Sequence, residues 1–126
     1  MNRTPIQSPK APAAIGPYSQ AIATDTLLFT SGTLAIDPKI GTIPEGTIEE
    51  HAHQVFRNLA AVAEAAGTNL SRAIKVTVYL TDMADFNQVN AVYSHYFQQP
   101  YPARSAVEVA ALPLGADIEV EAVLAL

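Results

Sequence analysis

The sequence contains no cysteine and no long apolar run in its 126 residues. Without cysteine, disulfide bonds and thiolate metal sites are excluded, and the composition is compatible with a reducing cytosol. No apolar segment approaches the roughly 20 residues that cross a bilayer. The amino terminus also lacks the apolar core of a secretory signal peptide. These absences predict a cytoplasmic protein that makes no contact with a membrane.

Basic residues are scarce as well. Seven Lys and Arg side chains stand against twelve Asp and Glu side chains, which gives a formal net charge of −5. The seven basic residues are scattered along the chain, whereas binding to a phosphate backbone needs them clustered. The sequence therefore predicts no nucleic-acid partner.

Apolar side chains are abundant, at 49% of all residues, and only 15% of the residues are charged. This composition favours a packed core over disorder, and the length is that of one ordinary domain. We expect a single domain over residues 1–126. Such a domain is stable by only about 5–15 kcal/mol, so charged residues within a core strand need an explanation.

The first third of the chain predicts extended structure. Residues 1–17 are rich in proline and are expected to form an extended arm before the first strand. Two β-rich runs within residues 18–36 flank Thr24–Thr26, a plausible turn, and predict a hairpin. We expect one further short strand at residues 40–43.

The next segment predicts a helix from Thr47 to Ala66. Thr47 and Glu50 have the spacing of a capping box at its start, and Gly67 is typical of a helix end. Its apolar residues recur on one helical face, and they are Ile48, Ala52, Val55, Leu59, Val62 and Ala66.

The rest of the chain predicts three strands and a second helix. In the first of these strands, Ile74 is expected to share a face with Val76, Val78 and Leu80. The order ββ(β)αβαββ indicates an α+β or α/β protein with a mixed sheet. The predicted elements are a strand at residues 73–81, a helix at 86–97 capped by Asp82 or Asp85, a strand at 101–112, a turn at 113–116 and a final strand from residue 118.

The final strand, "DIEVEAVLAL", carries two acids on one side. Glu119 and Glu121 alternate with apolar residues, so both carboxylates point to the same face. Two helices can cover only one face of such a sheet, and the other face would be half polar and half apolar. This pattern favours packing against another copy of the chain slightly over a monomer with a half-solvated sheet.

Arg104 is the first candidate for chemistry, because a guanidinium that opens a buried strand usually meets an anion. If its strand and the final strand pair as a hairpin, Arg104 lies on the same face as Glu119 and Glu121. A glutamate whose pKa is raised by burial and lowered by a nearby cation can act as a general base on water. A structural ion pair is an equally open interpretation, and we expect Glu121 in particular to pair with Lys75 or Arg104.

Other candidate residues have both a structural and a functional interpretation. Asn90 lies among apolar residues of the second helix, so its amide either fastens a loop or reaches a ligand. The "TSG" segment, with Ser31 and Gly32, permits a tight bend or the close approach of a ligand. Tyr18 is either a core aromatic or a lid over a pocket.

Motifs for metal or phosphate chemistry are missing. His51 and His53 are two residues apart on the predicted helix and do not share a face, so we expect no metal site. The chain has no nucleophile elbow and no glycine-rich phosphate loop.

Four segments together carry a resemblance to a known family. They are "APAAIGPYSQAI", "LLFTSGTLAIDPKIG", "VNAVYSHYF" and "PARSAVEVAALPLGADIEVEAVLAL". In these the chain resembles the reactive intermediate deaminase A family, also called the YjgF/YER057c/UK114 family. The resemblance implies a chorismate-mutase-like α+β domain of two layers, with a mixed six-stranded sheet and two helices on one face. It also implies a homotrimer with the sheets inside and the sites between subunits.

The activity implied by the resemblance is the hydrolysis of enamine and imine intermediates, such as 2-aminoacrylate, to 2-keto acids and ammonia, with no cofactor and no metal. Carried over, Arg104 would grip the substrate carboxylate, and Glu119 would position or activate the attacking water. A non-catalytic module that binds 2-keto acids or related carboxylates is the alternative.

The remaining implied roles concern the walls of the pocket. Gly32, with Ser31 beside it, and Ala106 would complete the ligand cradle. Tyr18 would close the pocket, and Asn90 would line or brace it. Two positions depart from the family pattern: Ala106 is often cysteine in deaminating members, and Thr33 is often glutamine.

Overall fold

The computed structural model describes residues 1–126, and its elements follow the order βββαβαββ. Six strands form one sheet in the order β1-β2-β3-β6-β4-β5, in which only β4 and β5 pair in parallel. The predicted α+β class, with a mixed six-stranded sheet and two helices on one face, is confirmed. The strands are β1 Thr4–Ile6, β2 Ala21–Ala23, β3 Leu27–Thr30, β4 Ala73–Leu80, β5 Ala103–Glu108 and β6 Ile118–Ala125, and the helices are α1 Ile48–Ala65 and α2 Phe86–Tyr93.

Helix α1 begins and ends where the sequence predicts. The Thr47 hydroxyl accepts the Glu50 N–H at 3.2 Å, and the Glu50 carboxylate accepts the Thr47 N–H at 3.1 Å, which completes the capping box. Gly67 follows the helix with φ of 82°, a left-handed conformation that glycine adopts without strain. The buried face of α1 packs on the sheet and on α2.

The two faces of the sheet differ in cover. On the helix-covered face, alternate residues of the central strands are fully buried, including Val76, Val78, Val120 and Leu124. On the open face, Tyr79 pairs with Glu119, Thr77 with Glu121 and Lys75 with Val123. Phe29 and Val107, which are also on this face, are 44% and 40% exposed. The half-polar face predicted from the alternation is therefore present and uncovered.

Four local expectations are wrong. Part of the arm, Thr4–Ile6, is itself a strand and pairs with β2. Residues 40–43 form no strand of the sheet, since the loop makes a single bridge between Asp37 and Thr42. Ile74 is 47% exposed, because an irregularity between Ala73 and Lys75 breaks the alternation. The second helix ends at Tyr93 rather than at residue 97.

The predicted hairpin of β5 and β6 is also wrong. Strand β4 lies between them and pairs with β5 in parallel and with β6 antiparallel. Arg104 is level with Val76 on the helix-covered face, whereas Glu119 is level with Tyr79 on the open face. Within one chain, the side chains of Arg104 and Glu119 therefore project from opposite faces of the sheet.

Candidate functional site

The site begins with an irregularity where β3 ends. Phe29 pairs with Val123, and Thr33 pairs with Val120. Four steps along one strand therefore match three along β6, which makes a bulge of one residue. The Thr30 hydroxyl accepts the Ala122 N–H at 2.9 Å within this stretch. Bulges bend a strand and redirect its side chains, and they are common beside active sites.

Glu119 lies directly over this bulge. A Cβ atom built on Gly32 would be 2.7 Å from both Cδ and Oε1 of Glu119, so the carboxylate occupies the space that a side chain would fill. Burial, and then the negative charge of Glu121, raise the pKa of Glu119 above its ordinary value. A carboxylate with a raised pKa is better suited to accept a proton near neutral pH.

A cavity of about 410 Å³ opens beside this carboxylate. Three predicted binding residues, Tyr18, Ser31 and Gly32, line it together with Glu119. The Ser31 hydroxyl donates to the Ser19 carbonyl at 2.6 Å, so it fastens the wall. The other lining residues are mainly apolar and comprise Pro12, Ala13, Ile15, Gln20, Thr33, Leu34, Ile36, Val62 and Pro113.

Gln20 and Asn58 fix two walls of this cavity, and sequence reasoning missed both. The Gln20 amide accepts the Ser8 N–H at 2.6 Å and donates to the carbonyl of Pro12 at 2.7 Å, which holds the arm against the sheet. No sequence signal indicates this contact. Asn58 is buried and donates to the carbonyls of Leu34 and Ile36 at 3.0 and 2.8 Å. The sequence did carry a signal for Asn58, because a polar residue on the apolar face of a helix indicates a buried side chain that needs hydrogen-bond partners.

Arg104 lies outside this cavity, at the edge of the helix-covered face. Its Nη1 donates to Oδ1 of Asn90 at 2.6 Å. Its guanidinium carbon lies 4.7 Å from the ring centre of Tyr93 and 5.4 Å from that of Phe86. Asn90 and two aromatic faces therefore hold the fork in one orientation, although the residue is exposed at the chain surface.

Ala106 accompanies Arg104 rather than Glu119. It lies two residues further along β5, level with Val78, on the helix-covered face. The predicted site residues thus lie in two separate groups: Glu119, Gly32, Ser31 and Tyr18 in one, and Arg104, Asn90 and Ala106 in the other.

The expected ion pair of Glu121 is wrong. Glu121 instead accepts the Tyr79 hydroxyl at 2.5 Å, and this hydrogen bond, with burial, raises the pKa of Tyr79. Lys75 donates to the Ser105 hydroxyl at 2.9 Å. Glu121 stays close to Glu119 without a cation between them.

Metal-ligand clusters and membrane-crossing helices are both missing from the molecule. No three or more His, Cys, Asp or Glu side chains group closely enough to hold a metal ion. Neither α1 nor α2 is long and apolar enough to cross a bilayer.

The fold and the cavity define a class, that of small α+β proteins with a cavity beside a mixed six-stranded sheet. A family model described as Endoribonuclease L-PSP matches residues 8–126. The chain belongs to this family, which is the YjgF/RidA family that its sequence resembles.

Individual relatives support the same assignment. The human 2-iminobutanoate/2-iminopropanoate deaminase is 46% identical over 121 residues, which are 96% of this chain and 88% of that protein. The crystal structure of RidA from the Antarctic bacterium Psychrobacter sp. has a TM-score of 0.94 at 45% identity, covering 98% of this chain and 100% of that one. That of Escherichia coli TdcF with bound serine has a TM-score of 0.92 at 36% identity, covering 98% of each chain.

Proposed function

We propose that this protein hydrolyses 2-imino acids and their enamine tautomers, such as 2-aminoacrylate, to 2-keto acids and ammonia. The observation that carries the proposal is the carboxylate of Glu119, which lies against Gly32 in a largely apolar cavity with a raised pKa. The similarity to proteins named 2-iminobutanoate/2-iminopropanoate deaminase over 96% of the chain supports it.

The chemistry makes modest demands on the protein. An enamine takes up a proton at carbon and becomes the iminium, whose carbon is already electrophilic. Glu119 accepts a proton from water as the water oxygen bonds to that carbon, and the C=N double bond becomes a single bond. Glu119 passes this proton to the amino nitrogen of the carbinolamine. The C–N bond then breaks as the hydroxyl proton is released to water, which leaves ammonia and the 2-keto acid. Water is the only co-substrate, so the proposal includes no cofactor and no metal.

Arg104 binds the substrate carboxylate in this proposal. A planar guanidinium whose orientation is held by Asn90, Phe86 and Tyr93 suits bidentate recognition of a carboxylate. Ala106 lines the same half of the site. Tyr18 and Ser31 line the other half, where the N–H of Gly32 makes no hydrogen bond within the chain and is free to donate to a ligand.

Since Arg104 and Glu119 point from opposite faces of one sheet, we infer that two chains build each site. The open face, with Phe29 and Val107 exposed, would pack in a homotrimer. One subunit then supplies Arg104 and its neighbour supplies Glu119. We further propose that residues 1–126 act as one domain and that the protein works in the cytoplasm.

The test generates an imine in situ with an amino acid oxidase and follows its decay with the purified protein. Wild type should accelerate the decay. Glu119→Ala should lower kcat by about 10²–10⁴-fold, because it removes the general base. Arg104→Ala should lower kcat/KM by about 10- to 100-fold, since it removes charge-assisted hydrogen bonds to the substrate carboxylate.

The alternative is a module that binds carboxylates without turnover. Binding of a 2-keto acid, measured by calorimetry, separates the two: Glu119→Ala should keep binding and lose only turnover. Arg57→Ala is the matched control for loss of a cation, because Arg57 is exposed on α1 and contacts Gln54 rather than any of the predicted site residues. If the imine decays equally fast with wild-type protein and without protein, the proposed hydrolysis is refuted, and the binding module is the function that is left.

The family description names a ribonuclease, which is a different activity. A net charge of −5 and scattered basic residues argue against RNA binding by this chain. Incubation of the protein with single-stranded RNA is the direct check, and we expect no cleavage.

A further inference from the structure

We propose that Gly32 is a positioning residue for Glu119: the missing side chain at residue 32 makes the seat that holds the catalytic carboxylate. The inference deepens the proposed function and rests on it for the effect on turnover. The seat itself is a property of the folded chain and can be measured without any substrate.

Space, rather than backbone freedom, explains the glycine. Gly41, Gly67 and Gly115 have positive φ, whereas Gly32 does not, so an L-residue could adopt its backbone conformation. A Cβ atom added at residue 32 would lie 2.7 Å from both Cδ and Oε1 of Glu119 and 3.1 Å from its Oε2. Contacts under 3.0 Å force one of the two groups to move.

The bulge determines where this seat lies. Backbone hydrogen bonds hold the residues on either side of Gly32. The Ser31 N–H donates to the carbonyl of Gln20, just before β2, at 3.0 Å, and the Thr33 N–H donates to the carbonyl of Val120 in β6 at 2.8 Å. Because the backbone is anchored on both sides, the carboxylate rather than the strand must give way to a methyl group at residue 32.

Displacement of the carboxylate has two consequences. Moved out of its seat, Glu119 loses burial and becomes better hydrated, so its pKa should fall toward the ordinary value. The water that it activates is then aimed wrongly, and an error of about 1 Å in such geometry costs about 10²-fold in rate. The neighbouring charges that act on Glu119 are those of Glu121 and, at high pH, Tyr79.

A size-exchange cycle tests the proposal with four proteins: wild type, Gly32→Ala, Glu119→Asp and the double variant. Gly32→Ala should lower kcat by about 10²-fold with a smaller change in KM. Glu119→Asp removes one methylene and makes room for the added methyl. Glu119→Asp alone should also lower kcat, because its carboxylate is drawn back by about one bond length. The double variant should have the same kcat as Glu119→Asp alone, because the added methyl meets no carboxylate, and general destabilisation would not produce this lack of a further loss. Unchanged kcat in Gly32→Ala, or losses that simply multiply in the double variant, would overturn the proposal.

Gly46→Ala is the matched control. Its Cβ would lie 3.3 Å from a carboxylate oxygen of Glu50, remote from the cavity lining, and its kcat should equal that of wild type. Carbon-13 NMR titration of the Glu119 carboxyl gives a readout without substrate: its pKa should be lower in Gly32→Ala than in wild type. If wild type hydrolyses no imine, the proposed function fails, and this titration still decides whether Gly32 seats the acid.

Discussion

His51 joins the start of α1 to the loop that precedes the helix and to the distant residue before β6. Its Nδ1 lies 2.9 Å from the carboxylate of Asp117, and its Nε2 lies 2.7 Å from the carbonyl oxygen of Pro44. Both partners are acceptors, so only the doubly protonated ring can donate to both at once. Burial lowers the pKa of His51, but hydrogen bonds to Asp117 and Pro44 and the nearby charges of Asp117 and Glu50 outweigh it, and the net pKa is raised.

This contact predicts a pH-dependent contribution to stability. A raised pKa means that the folded state holds the proton more tightly, so the stabilisation is complete below the unfolded pKa of about 6.5 and is lost as pH rises through the folded value. Urea unfolding of wild type and His51→Ala from about pH 5 to 8 should show a difference in unfolding free energy that shrinks toward the alkaline end. A constant difference would contradict the prediction. His53→Ala is the control for removal of another histidine from the same helix, because its ring contacts Tyr96 instead.

At the scale of the elements, α1 covers the sheet and also holds in place a segment that lines the cavity. Its buried Asn58 donates to Leu34 and Ile36, whose side chains line the cavity, and accepts from Gln54 at 2.8 Å. The helix thereby holds the segment after the bulge, which has little secondary structure of its own. Because Asn58 donates to the buried carbonyls of Leu34 and Ile36, the shape of the cavity depends on the packing of α1.

Asn58→Ala should therefore cost both stability and binding. Two buried carbonyls lose their partner, which costs about 2–5 kcal/mol of unfolding free energy, and KM for the imine should rise because the cavity wall loosens. Urea unfolding and steady-state kinetics measure the two effects. Gln54→Ala removes the hydrogen bond to the Asn58 amide oxygen and an exposed one from Arg57, but it leaves both buried carbonyls paired. Its loss should be clearly smaller, and an equal loss in the two variants would refute this account.

Features that depend on residues close along the chain could be predicted from the sequence, whereas the pairing of β5 was not. The capping box of α1 and the alternation in β6 depend on residues close along the chain, and both are confirmed. The partner of β5 depends on tertiary structure, and the hairpin expectation was wrong. A signal was available, because β4, α2 and β5 form a strand–helix–strand unit, whose strands usually pair in parallel. The site residues were predicted as one set from the family resemblance. Glu119, Gly32, Ser31 and Tyr18 line one cavity, whereas Arg104, Asn90 and Ala106 lie outside it. The contacts of Gln20 link distant segments that no local pattern connects.

At the scale of the whole molecule, one sheet separates the two charged groups proposed for catalysis. Arg104 extends from the helix-covered face, and Glu119 from the open face. The thickness of the sheet prevents either side chain from reaching the other within one chain. Association of copies is then a condition for activity under the proposed function, and not only a way to cover apolar surface.

Mixing two inactive variants tests this directly. Arg104→Ala and Glu119→Ala chains, unfolded and refolded together, should regain about one quarter of wild-type activity, because each site in a closed ring independently needs an intact residue from each of two chains. The same variants refolded separately and then mixed without exchange should stay inactive. No recovery after joint refolding, with trimers verified by analytical ultracentrifugation, would mean that one chain supplies both groups.

Strand β1, the short pairing segment Thr4–Ile6, forms one border of the sheet and has a proline at its centre. Pro5 offers no N–H, so a foreign strand that approached this border would find an interrupted row of donors. A proline at the centre of this edge strand therefore disfavours sideways growth of the sheet by addition of a strand from another molecule.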